Sequence, residues 1–448
     1  MAADVDATET IELQVLCLTG EGVSLTVSKA MLGREVRQMV STQLSGRAGS
    51  KIALTHLDAN LVLSQSLEQQ GIVGKTATLG CTYVPTDLYL AWCFLQGLPT
   101  QEAEFALEGV TSLTHLRGPK STWGEYLVHL PKSLRSLTLN LPLSQFTVPS
   151  SLQNLTFGHS FNQTLEGVTL PSRLQHLTFG KLFNQSLEGV PLPSSLQNLT
   201  FGHDFDHSLE GVTMPNSLQN LTFGHDFNQS LKEVTLPSSL QNLTLGVNFN
   251  QSLEGVTLPS SLLNLTFGYS FNQSLENVTL PSSLQNLTFG DSFDQSLDRV
   301  ILPSSLQNLT FGYSFNQSLE GVTLPSRLQD LTFGYSFNQS LAAVPLPSSL
   351  QNLTFDAAFN ESLEQVTFPS SLQTLSLGLF FSQSLDLVSF PSTLASLTLC
   401  RECNGFWQVA SLPNLRRLQV GQTVMSVVEL ETDSMEGCDG ESAKKVSC

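Results

Sequence analysis

Charge is what this 448-residue sequence has least of: Asp, Glu, Lys and Arg together supply 13% of it. Basic residues are the scarcer sign, with 20 Lys and Arg against 38 Asp and Glu and a formal net charge of −18. So acidic a surface repels phosphate backbones and anionic headgroups, which argues against nucleic acid and membranes as partners. Long apolar runs are also missing; no stretch approaches 18 consecutive apolar residues, so no helix is expected to span a bilayer. The opening MAADVDATETIELQVLCL is acidic and lacks a basic segment ahead of an apolar core, so no secretory signal is expected. Seven cysteines, an odd number scattered at Cys17, Cys81, Cys93, Cys400, Cys403, Cys438 and Cys448, form no disulfide framework. A reducing, cytoplasmic setting is the expectation. Phosphate loops, HExxH patterns and Ser-His-Asp elbows are absent as well, so neither catalysis nor a cofactor is expected.

What is present is repetition. The text PSSLQNLTFGHSFNQTLEGVTL fills residues 149–170, and its leading proline returns every 22 residues, from Pro171 and Pro193 to Pro391 and Pro413. A unit this short buries no apolar face alone, so the copies must stack. Leu152, Leu155 and Phe157 stand in the L-x-x-L-x-L spacing of leucine-rich-repeat strands. Alternation sends Leu155 and Phe157 inward and leaves Asn154, Thr156 and Gly158 outward. Stacking then predicts a parallel sheet with one strand per repeat, about 4.8 Å apart.

Two phenylalanine columns, one from Phe157 to Phe355 with Leu245 interposed and one from Phe161 to Phe381, hold most of the 27 Phe and are read as core spines. Beside the second runs a polar ladder from Asn162 to Asn360, with Asp206 and Asp294 standing in twice. Buried turns need their backbone groups satisfied, and an Asn or Asp oxygen can accept from the neighbouring turn. The combination F-N-Q-S/T-L followed by L-P-S-S-L resembles the FNIP repeat, a relative of leucine-rich repeats with the same step, over residues 149–412. This chain has Ser at Ser186, Ser230 and Ser252 where that family usually has Pro, and Leu where it has Ile before the next Pro. The resemblance implies a protein-interaction solenoid without catalysis.

Residues 10–86 carry a different text. IELQVLCL and VSLTVS predict strands around TGEG, and AMLGREVRQMVSTQL sets Met31, Leu32, Val36, Met39 and Val40 at helical spacing. KIALTHL and TATLGCTYV predict further strands, with LVLSQSLEQQGIVG between them. This order resembles ubiquitin and its β-grasp relatives. The match departs at its end, where Tyr83-Val84-Pro85 leads onward, so conjugation through a free terminus is not implied. Thr55, Gly80 and Thr82 stand where ubiquitin has its apolar patch, so ordinary ubiquitin receptors are not implied either. The fold expected is mainly β: a leucine-rich-repeat-like solenoid of 22-residue repeats with an N-terminal α+β ubiquitin-like β-grasp domain. The expected divisions are a disordered leader (1–9), the β-grasp domain (10–86), a linker helix (87–106), an N-terminal solenoid cap (107–148), the repeats (149–412), a C-terminal cap (413–430) and a disordered tail (431–448).

Variation between copies concentrates just after the strand, where the column reads His159, Lys181, His203, His225, Val247, Tyr269, Asp291, Tyr313, Tyr335, Ala357, Leu379. Aromatic residues dominate interface hot spots. His159, His203, Asp204, His225, Asp226, Tyr269, Tyr313 and Tyr335 are therefore the expected contact strip for a protein partner with a basic surface. His203, Asp204, Asp206, His207, His225 and Asp226 could also gather a divalent metal; a solvated polar rim is the plainer reading, and no metal is assigned. Cys400-x-x-Cys403 is half a zinc motif without its second pair. Asn-x-Ser/Thr recurs in nearly every copy, but sites one strand apart leave no room for a glycan on each. The function expected is a non-catalytic, monomeric interaction scaffold. The rivals are a substrate-recognition subunit in ubiquitin transfer and a metal-dependent enzyme using His203 and His225.

Overall fold

In the computed structural model the described residues are 10–17, 22–28, 50–56, 59–60, 76–85, 112–116, 128–129, 134–139, 146–400, 412–421 and 423–426. The expected leader, the helix near residue 36, the linker helix and the tail lie outside them. The described residues contain no helix. They fall into two compact units, divided between Gly180 and Lys181 except that Thr164–Glu166 group with the second.

The first unit opens on a five-stranded sheet of β1 (Thr10–Cys17), β2 (Gly22–Ser28), β3 (Ser50–His56), β4 (Ala59–Asn60) and β5 (Thr76–Pro85), ordered β2-β1-β5-β3-β4. β1 and β5 are parallel at the centre, while the β1–β2, β3–β5 and β3–β4 pairs are antiparallel. The same unit contains the first stacked repeats. Ser136–Leu139 pairs in parallel with Asn154–Phe157, which pairs in parallel with His176–Thr178.

The second unit is a parallel β-solenoid. One short strand per repeat runs from Asn198–Thr200 to Arg417–Val420, each opposite the corresponding strand of the copy before it: Leu221 faces Leu243, Leu243 faces Leu265, Leu265 faces Leu287. The alternation read from the sequence holds, since Leu265 is fully buried and its neighbours Asn264 and Thr266 are only half so. Three turns close each copy. Phe249 N–H donates to Gly246 O at 3.1 Å, Leu262 N–H to Pro259 O at 3.0 Å, and Val256 N–H to Leu253 O at 3.0 Å. The hydroxyl of Ser252 accepts from Glu254 N–H at 3.0 Å, a local bond that starts its turn. Gly255 then turns the chain with φ +79°, a conformation that costs glycine least.

A second glycine column has another cause. A Cβ added to Gly268 would lie 1.9 Å from the carbonyl oxygen of Gly246, and one added to Gly290 would lie 1.8 Å from that of Gly268. Backbone approaches backbone too closely there for any side chain.

The core is the pair of phenylalanine spines. Within a copy Phe267 and Phe271 stack at 3.8 Å between ring centroids. Between copies Phe267 meets Phe289 at 5.5 Å, and Phe271 lies 6.1 Å from both Phe249 and Phe293. Phe271 is fully buried among them. The Phe271→Ala chain is expected to lose about 3–5 kcal/mol of local stability. Native-state hydrogen exchange at the amides of Leu265 and Leu287 reads that loss; a change under about 1 kcal/mol would mean that this ring does not carry the core.

Candidate functional site

The varied column sits on the turn between strand and second phenylalanine, and the backbone holds that turn as tightly as the strand. Asp204 N–H donates to Lys181 O at 2.9 Å, Asp226 N–H to His203 O at 2.8 Å and Asn248 N–H to His225 O at 2.8 Å. Farther along, Ser292, Ser314 and Ser336 donate to Tyr269, Asp291 and Tyr313 at 2.8 Å each. Side chains at the preceding position therefore project as one column.

In that column the rings of His203 and His225 stack at 4.3 Å with 6° between planes. His203 Nδ1 lies 2.6 Å from Asp204 Oδ1 and 3.6 Å from Asp226 Oδ2; His225 Nδ1 lies 2.6 Å from Asp226 Oδ1. Asn248 Nδ2 donates to Asp226 Oδ1 at 3.1 Å. Donor atoms of His203, His225 and Asp226 all fall within 4.8 Å of one another, the spacing that could hold a metal ion. Two residues expected in this cluster lie elsewhere. Asp206 Oδ1 accepts from Asn228 N–H at 2.9 Å and Gln229 Nε2 at 3.0 Å, so it serves the polar ladder. His207 Nε2 lies 3.2 Å from the carbonyl of Asn184.

The tyrosines continue the column. Tyr313 and Tyr335 stack at 4.6 Å with 2° between planes. Tyr269 and Tyr313 are 57% and 51% exposed, well beyond their neighbours, while Tyr335 is half-buried. Between Tyr269 and Tyr313 the column holds Asp291, whose Oδ1 accepts from Tyr313 N–H at 3.4 Å. His159 is exposed and belongs to the first unit. On another turn Arg299 pairs with Glu276 at 2.9 Å; that bond, the Glu276 charge and the Asp298 charge raise the guanidinium pKa further.

Two features escaped the sequence reading. Outward-facing Asn residues of the strands form their own ladder: Asn220 Nδ2 donates to Asn198 Oδ1, and the pattern repeats through Asn242, Asn264, Asn286 and Asn308. An identical amide at a fixed place in a parallel, in-register sheet was the available signal. Phe380 and Leu387 form the second, exposed by 59% and 71% near Leu379, the 69% exposed end of the varied column. Cys400 is buried and its thiol donates to Phe381 O at 2.5 Å, while Cys403 lies outside the described residues.

Strand, spine and ladder define a solenoid of the leucine-rich-repeat kind. The FNIP Repeat family model matches residues 140–182, 161–204, 183–226, 227–270, 271–314, 315–356, 337–380 and 359–402. These matches tile more than half of the sequence, and the chain belongs to the FNIP-repeat family. Among solved structures it is similar to one titled "The crystal structure of CroV588 a novel circular LRR protein structure", with a TM-score of 0.57 and 37% identity. That match covers 69% of this chain and 53% of the other, so the chain spans about half the length of this neighbour. No curated protein matches it.

Proposed function

We propose that the chain is a non-catalytic protein-interaction scaffold whose contact surface is the column that follows the strands. The observation carrying this reading is the contrast between a uniform Asn, Thr and Ser surface and a regularly spaced line of exposed and half-buried His, Asp and Tyr. Tyr side chains offer large contact area with few rotamers to immobilise. A net charge of −18 favours a basic partner. Asp291 sharpens that preference: it leaves one rung of the tyrosine column without a ring and puts a carboxylate there. A planar guanidinium suits such a rung, since it can stack on a tyrosine face while the carboxylate accepts its hydrogen bonds. The scaffold acts as a monomer in the cytoplasm on this reading.

Residues 10–86 form the second part of the proposal, an accessory ubiquitin-like β-grasp module. Its support is the mixed sheet with β1 and β5 parallel at the centre, a pairing that needs a crossover between them. The isolated 10–86 fragment should unfold cooperatively in urea; a featureless, non-cooperative response would remove the module.

The contact strip has its own test. Replacing Tyr269, Tyr313 and Tyr335 together with Ser should leave the far-ultraviolet spectrum and melting profile intact, because the phenylalanine spines are untouched. Affinity capture with this variant should recover at least tenfold less of the partner that wild type retains, consistent with losing hot-spot aromatics. Undiminished recovery by a folded triple variant would exclude the strip.

A further inference from the structure

We propose that His203, His225 and Asp226 form a binding site for one divalent transition-metal ion of the zinc and copper class. The solenoid step creates the site: the dipeptide His-Asp occurs at residues 203–204 and again at 225–226, 22 residues apart, so both copies arrive on adjacent turns. The backbone bonds from Asp204 to Lys181 and from Asp226 to His203 hold these turns at fixed height.

The donor set has the right chemistry. Both Nδ1 atoms face the Asp226 carboxylate, which spans them with Oδ1 at 2.6 Å from His225 and Oδ2 at 3.6 Å from His203. Two imidazoles and a carboxylate select zinc, copper and nickel over calcium and magnesium, which prefer all-oxygen sites. Asp204 Oδ1, 2.6 Å from His203 Nδ1, stands next to the set as a positioning group or fourth donor. Asn248 Nδ2 donates to Asp226 Oδ1, orienting the carboxylate from the following repeat.

Binding requires the two rings to rotate out of their stack. Metal–nitrogen bonds are about 2.0–2.1 Å, so the Nδ1 edges of the parallel rings must tilt toward each other. The side chains of His203, His225 and Asp226 are 43%, 42% and 39% exposed, which leaves them room to do so. Neutral imidazoles ligate through Nδ1, with the remaining proton on Nε2, and any second proton passes to water. Lys181 and Val247 bracket the pair in the column, and neither extends it as a ligand at neutral pH. The site therefore takes one ion. Its remaining coordination positions face solvent and are filled by water.

The test uses the full chain with Zn2+ alone by calorimetry and Cu2+ alone by electron paramagnetic resonance. Wild type should bind one ion more than the His203→Tyr/His225→Tyr double variant, which places in both turns the residue the column carries at Tyr313 and Tyr335. The Cu2+ spectrum should show hyperfine coupling to two nitrogens, which separates this site from thiolate binding at cysteines. Asp226→Asn, matching Asn248 in the next copy, should weaken Zn2+ binding at least tenfold, while Tyr269→Ser should leave it unchanged. Equal stoichiometry and affinity in wild type and the double variant would overturn the assignment. So would a two-nitrogen Cu2+ spectrum that survives the double substitution.

Discussion

Everything in the solenoid depends on backbone hydrogen bonds that tie each copy to the one before it at several points around the turn. Asn264 N–H reaches Gln241 O at 3.0 Å at the strand entry, Ser270 N–H reaches Val247 O at 2.8 Å on the varied turn, and Asn272 N–H reaches Asn250 Oδ1 at 2.9 Å on the ladder. With three such ties the unit can neither rotate nor slide, so position in the repeat becomes position in space. Each residue then meets its own kind above and below. That constraint filters the sequence: stacked phenylalanines attract, stacked amides donate and accept in turn, and stacked like charges repel. It accounts for a core of Phe and Leu, an outer face of Asn, Thr and Ser, and the low charge content of the chain.

The filter also shows where change is free. In the inner ladder only an acceptor is needed, so Asp206 and Asp294 substitute for Asn without loss; Asp294 Oδ1 accepts from Asn316 N–H at 2.9 Å as Asn272 Oδ1 does from Asp294 N–H. The outer ladder needs donors too. Asp330 accepts from Asn352 at 2.6 Å but, when ionised, has no proton to pass to Asn308. The turn after the strand points its side chains toward solvent while its backbone is tied to the copy before it, as Ser270 N–H is to Val247 O. Variation there costs the stack little, and the chain keeps its His, Asp and Tyr residues on it.

Much of this was legible in the sequence. Strand position, the burial of Leu155 and Phe157 and the acceptor role of Asn184 and its later counterparts follow from a 22-residue period and simple alternation. The glycine column was not legible: alternation places Gly158 outward and says nothing of a carbonyl that would lie 2.0 Å from a Cβ at Gly180. The metal-capable group was legible only as an excess. Spacing alone gathers six neighbours into one cluster, but the turn aims Asp206 into the ladder and leaves His207 at the Asn184 carbonyl. Direction along an irregular turn is set by backbone torsions that sequence spacing alone does not encode. The linker helix and much of both caps fall outside the described residues.

The central claim is that the in-register stack, and no feature of any single repeat, specifies the fold. A chain lacking residues 259–280 removes one whole 22-residue copy, whereas one lacking residues 259–279 removes nearly the same atoms and shifts every following residue by one position. Urea unfolding of both, followed by circular dichroism, compares them directly. The account predicts that the 22-residue deletion keeps a cooperative transition close to wild type and that the 21-residue deletion lowers its midpoint sharply or splits it. Indistinguishable transitions from the two deletions would contradict it.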